Sequence, residues 1–150
     1  MADSTLAALS TSFAGASGTG AELAYLDDGS NDAKATLAEL KIFHNIVPSQ
    51  SKSAAYTTVL GDANKFVLHP VADNNARTFT IDSNANVAYP VGTWITFVNE
   101  INTLTIAITS DTMHLAGGAS TGSRTLAAYG VATALKITST SWIISGTNLT

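Results

Sequence analysis

The sequence predicts a mainly β fold: an antiparallel sandwich or barrel-like module preceded by an N-terminal arm, a hairpin and one short helix. Two observations predict it. Between Ala76 and Thr109 apolar and polar residues alternate with period two, Phe79 and Ile81 against Thr78 and Thr80, then Leu104, Ile106 and Ile108 against Thr103, Thr105 and Ala107. Such alternation, with β-branched Thr on the polar side, is what a half-buried strand requires. Short apolar runs then recur through the second half with turn residues between them, the spacing of a sandwich or barrel. Tyr89-Pro90-Val91-Gly92 is one such turn, since proline pre-sets φ and glycine suits the last position.

In chain order, residues 1–20 mix small apolar residues with Ser, Thr and Gly, and Gly15, Gly18 and Gly20 make them an arm. A strand is expected over Glu22–Leu26. The Asp-Gly and Asn-Asp pairs of Asp27–Asp32 then favour a tight turn into a returning strand at Ala33–Ala35. Thr36-Leu37-Ala38-Glu39 fits a capping box, and Leu37, Leu40 and Ile42 supply the apolar turns of a short helix ending near His44. Val47–Ser53 is polar and proline-marked and is taken as a linker, which gives an attachment segment at 1–50 and a β module at 51–150. Strands are expected at Tyr56–Leu60, Lys65–His69, three times within Ala76–Thr109, and at Thr112–Ala116, Thr125–Tyr129, Ala134–Thr138 and Ser141–Ser145.

Charge narrows the function classes. Hydrophobic residues make up 45% and charged residues 12%, against about 25% charged in an ordinary soluble domain. The surface must therefore be wetted by Thr, Ser and Asn or covered by protein. The net charge of −4 falls entirely before Ser51, and no cluster of Lys and Arg suits a phosphate backbone, so nucleic acid is not an expected partner. With no cysteine, disulfides and Cys-based zinc sites are excluded. The first eighteen residues lack a basic stretch and continuous apolar core, and no apolar run approaches the roughly 20 residues of a membrane helix, so neither secretion signal nor membrane insertion is expected.

Several strands carry apolar side chains on both faces: Phe66-Val67-Leu68, Trp94-Ile95 with Phe97-Val98, and Trp142-Ile143-Ile144. A single sandwich would turn one face to water, so a copy of the same chain is expected to cover the second. Phe66, Trp94 and Trp142 are the candidate residues of that interface. Phe13, Leu23 and Tyr25, the large side chains of the first segment, are the candidate anchors for docking.

Catalytic and metal-binding patterns are weak. Gly118-Ala119-Ser120-Thr121-Gly122 matches the nucleophile elbow G-x-S-x-G literally, but Arg124-Thr125-Leu126 behind it looks extended where the elbow needs a helix. His44, His69 and His114 share no ligand spacing, Asp27-Asp28 sits in a turn without a closing Glu, and the N-terminal glycines precede no Gly-Lys-Ser/Thr. No catalytic residue, metal or cofactor is expected.

A resemblance adds to this reading. The stretches Tyr56-Thr-Thr-Val-Leu-Gly-Asp-Ala63, Thr78-Phe-Thr-Ile81, Asn84-Ala-Asn-Val-Ala-Tyr-Pro-Val-Gly-Thr93, Leu104-Thr-Ile106, Ala134-Leu-Lys-Ile137 and Ser141-Trp-Ile-Ile-Ser-Gly146 follow one another in order. Together they resemble a β-rich module recurrent in tailed-bacteriophage fibre, spike and head-decoration proteins. Gly20-Ala-Glu-Leu23 and Ala35-Thr-Leu-Ala-Glu-Leu40 separately resemble a short segment common near the start of phage tail and fibre proteins. The resemblance implies a non-enzymatic virion protein, a homotrimer whose partners are its own copies and other capsid or tail proteins. It implies capsid decoration, a head fibre or a short tail-fibre component docked by the N-terminal arm. The alternatives are a receptor-binding tail-fibre tip, and a carbohydrate-binding module stacking host-surface glycan on Tyr25, Tyr89 or Tyr129. A hydrolase using Ser120 is the third class.

Overall fold

The computed structural model describes residues 47–150 and, at the level of the backbone, two strands of the preceding segment. The chain divides into two compact units, Met1–Ile46 and Val47–Thr150. In the first, β1 (Leu23–Asp27) and β2 (Asp32–Thr36) form an antiparallel hairpin with Leu23 opposite Thr36 and Asp27 opposite Asp32. Asp28-Gly29-Ser30-Asn31, the stretch between the two strands, lies outside the described residues. Phe13 and the helix expected after Thr36 lie outside the described residues.

The second unit is built from nine strands: β3 (Ser49–Ser51), β4 (Tyr56–Thr57), β5 (Phe66–His69), β6 (Arg77–Ile81), β7 (Trp94–Asn99), β8 (Leu104–Ile108), β9 (Thr112–Leu115), β10 (Arg124–Lys136) and β11 (Ser141–Leu149). Fold class is thus mainly β, as expected, but the antiparallel sandwich or barrel is not what forms. The pairs β3–β5, β5–β7, β4–β6, β6–β8 and β9–β11 are all parallel. From β3 to β8 the chain alternates between two ladders, odd strands stacking in one and even strands in the other. The arrangement is β-solenoid-like.

The reason lies in the connections. Period-two patterning decides which side chains face inward, but leaves the identity of the neighbouring strand open. Here the links turn corners instead of reversing. Between β7 and β8, the buried Asn99 amide donates to Asn102 O (3.1 Å) and Leu126 O (2.9 Å), pinning the corner, while Asn102 adopts a left-handed φ of 55°. Asn tolerates that region better than most residues. In the first coil, Asp62 accepts hydrogen bonds from Gln50 Nε2, Tyr56 Oη (2.7 Å) and Val59 N (2.8 Å), binding β3 and β4 to the turn that follows them. Ser49–Ser51, expected within a linker, pairs with β5.

β10 closes the coils. Its first residues, Arg124–Leu126, pair antiparallel with β8, and Gly130–Leu135 pair antiparallel with β7, so one strand crosses both ladders. The switch occurs at Tyr129 (φ 59°) and Gly130. A Cβ on Gly130 would stand 2.8 Å from Ala127 O, so the bend excludes any larger residue there. β11 pairs back along β10, and β9 pairs parallel with β11.

The inner faces of the ladders meet in one apolar core. Val67, Phe97 and Ala132 form one row and Ile95, Ala134 and Ile144 another, facing Phe79, Ile81, Leu104, Ile106 and Leu126 of the second ladder. Phe79 joins the two sides, packing 6.5 Å from Phe97 and edge-on at 6.2 Å to His69.

Candidate functional site

The outward faces of the two ladders differ. On the ladder β4-β6-β8-β10, Thr57 neighbours Thr80, and Thr78 and Thr125 flank Thr105, giving a hydroxyl-rich surface that water wets. On the ladder β3-β5-β7-β10-β11-β9, the outward face is apolar in the middle and edged by Ser49, Ser51, Ser145, Thr147 and His114. Leu68, Val98 and Val131 form one row, and Trp94, Leu135 and Ile143 another. Between them, Phe66 leads into Thr96, whose hydroxyl is 2.8 Å from that of Thr133. One of the two hydroxyls donates to the other across the strands. The alternation of the strands places no Asp, Glu, Lys or Arg in these rows, and Val131 and Leu135 are 43% and 39% exposed. Apolar side chains left open on a sheet face make it a candidate for association.

Two of the three expected interface residues stand on this face. Phe66 and Trp94 are half-buried there. Trp142 is a correction: it is fully buried on the inner side of β11, edge-on to Tyr89 with ring centroids 5.6 Å apart. The segment Trp142-Ile143-Ile144 is apolar in both phases, so alternation cannot tell its faces apart, and the ladder takes the bulkier ring inward. Leu23 and Tyr25 lie on β1.

Tyr89, one of the aromatics considered for stacking on sugar, is also buried, and its hydroxyl donates to Val59 O (2.6 Å). Burial pushes its phenol up to about 12. Tyr129, 82% exposed at the bend of β10, is open to solvent. Ser120 belongs to a loop that covers the free edge of β9. Leu115 N donates to Ser120 O (3.0 Å), Gly122 N donates to Met113 O (2.9 Å), and Thr121 bridges to His114. The Gly118–Gly122 match is thus a strand-edge cover followed by β10, with no helix behind it. Among the described residues no three His, Asp or Glu converge as metal ligands.

No family model matches the sequence, and neither a curated protein nor a solved structure matches it.

Buried polar groups escaped the sequence reading. His69, fully buried, shares a hydrogen bond with Asn99 Oδ1 (2.7 Å) and places Nε2 3.4 Å from Asp73. Arg77 grips Asp73 through two hydrogen bonds of 2.6 and 2.8 Å, and with Asn75 holds its carboxyl far below the usual range. A depressed folded pKa stabilises the protein above the unfolded value of about 3.9, and this contribution disappears as pH falls through the folded value. Asp73→Asn is therefore expected to flatten the stability profile below about pH 4. Urea titrations across that range check it, and an unchanged acid limb would remove Asp73 from the balance. Lys136, Asn84 and Asp111 form a second polar group, described below.

Proposed function

We propose that the chain is a non-enzymatic structural component of a tailed-phage virion, a homotrimer that docks on the particle through its N-terminal arm. The observation that carries this reading is the uncharged apolar face of the β3-β5-β7-β10-β11-β9 ladder. Exposed apolar side chains such as Val131 and Leu135 are costly in water, and a symmetric copy would present the matching uncharged surface. Capsid decoration or a short fibre fits best, because the module offers a solenoid-like body with an outer sheet face. Stacking of host glycan on the exposed Tyr129 is the second reading.

Docking is assigned to the arm because residues 1–20 are too small and glycine-rich to bury a core of their own, and because the whole net charge of −4 precedes Ser51. Large side chains dominate small interfaces, which makes Phe13, Leu23 and Tyr25 the anchors. Deleting residues 1–20 is expected to leave a soluble, assembled β module that no longer joins particles. Particle decoration at full occupancy by the truncated chain would place docking elsewhere.

A further inference from the structure

We propose that Lys136 and Asn84 become joined by an isopeptide bond that the folded chain forms by itself, a modification independent of the virion reading. Lys136 ends β10 with its side chain turned inward and only 1% exposed. Its Nζ lies 2.7 Å from Asn84 Oδ1 and 5.4 Å from the centre of the Trp142 ring. Among the described residues the ion pairs are His69–Asp73 and Arg77–Asp73, and neither involves Lys136. A buried ammonium that meets one neutral acceptor and one ring is poorly compensated for the water it has lost. Conversion to a neutral amide removes that charge from the interior.

The partner is held for the reaction. Asn84 N donates to both carboxylate oxygens of Asp111 (3.2 and 3.1 Å), and Asp111 is itself 8% exposed. The loop around it is fixed from both ends, with Val87 N donating to Ser83 O (2.9 Å) and Asp82 accepting from Ser83 N, Asn86 Nδ2 and Thr109 Oγ1. The hydrogen bond from Nζ to Oδ1 keeps amine and amide side by side, and groups held together in one chain gain part of the advantage of an intramolecular reaction.

The step balances without an oxidant or co-reactant. The lysine amine attacks Asn84 Cγ, the Nζ–Cγ bond forms, and the Cγ–Nδ2 bond breaks. Counted from the ammonium, Nζ gives up two protons and Nδ2 gains two, leaving as ammonium. The Asp111 carboxylate holds the Asn84 backbone N–H, and the two protons pass from Nζ to the departing nitrogen.

Mass spectrometry of the denatured full-length protein tests the proposal. The chain is expected to weigh one ammonia less than its sequence. Trypsin should fail to cut after Lys136, and a branched peptide should join the segment around Asn84 to that around Lys136. Lys136→Met and Asn84→Ala should each restore the full sequence mass. Folded protein of full sequence mass that is cleaved normally after Lys136 would overturn the proposal. So would an ammonia loss confined to one linear peptide, which is cyclisation of an asparagine on its own backbone.

Discussion

Trp142→Ala is expected to destabilise the second unit by about 3–5 kcal/mol, the usual cost of truncating a buried large aromatic. The indole is fully buried, with Tyr89 against its edge and Met113 and Lys136 beside it in the neighbouring strands. The cavity cannot be refilled by sliding a strand, because Ala134 opposite Ile144 and Ala132 opposite Gly146 fix the register of β10 on β11. A Cβ on Gly146 would stand 2.6 Å from Ala132 Cα, so the two strands already approach as closely as glycine allows. Denaturant unfolding at neutral pH measures the loss. A change below about 1 kcal/mol would mean that the ring is not packed as described. Loss of assembly with unchanged unfolding free energy would return Trp142 to an outer surface.

The double substitution Val131→Glu and Leu135→Glu is expected to act the other way, abolishing association and leaving the fold intact. Both side chains point away from the core at the centre of the apolar ladder, so in a monomer the carboxylates stay in water. In a trimer each contact would bury unpaired charge, at a cost of about 3–5 kcal/mol for a buried charge without its partner. Every 1.4 kcal/mol is about tenfold in affinity, so association should weaken at least a hundredfold. Sedimentation at micromolar concentration should show the parent chain as a trimer and the variant as a folded monomer. If the parent already sediments as a folded monomer, the assembly is wrong. If the variant still sediments as a trimer, the interface lies on another face.

Strands were legible wherever burial falls on one side only. Phe79 and Ile81, or Leu104 and Ile106, alternate with threonine, and these are the residues found inside. Legibility failed where both sides of a strand are apolar. In Val131–Ile137, Val131, Leu135 and Ile137 are the large hydrophobic residues, and it is Ala132, Ala134 and Lys136 that face inward. The rule that large apolar residues are buried points there in the wrong direction, so Lys136 escaped notice as an interior group. The coil repeat was hidden for another reason. Phe66 in β5 aligns with Ser49 before it and Thr96 after it, so successive coils differ greatly in length and no fixed period survives in the sequence. The pinning hydrogen bonds of Asn99 and Asp62 depend on corner geometry, which alternation does not encode.

Because the chain visits the two ladders in turn, each coil adds one strand to each ladder. The body of the module is therefore measured in steps of one strand spacing, about 4.8 Å. Inserting or deleting a coil between β5 and β8 would change reach by that step while leaving both outward faces chemically as they are. The β10 crossing sets the stop, since a strand that runs antiparallel over both ladders offers no parallel edge on which a further coil could be laid in the same sense. The fold can therefore serve as a ruler with a fixed end, and its length can be altered by whole coils without redesigning either outward face.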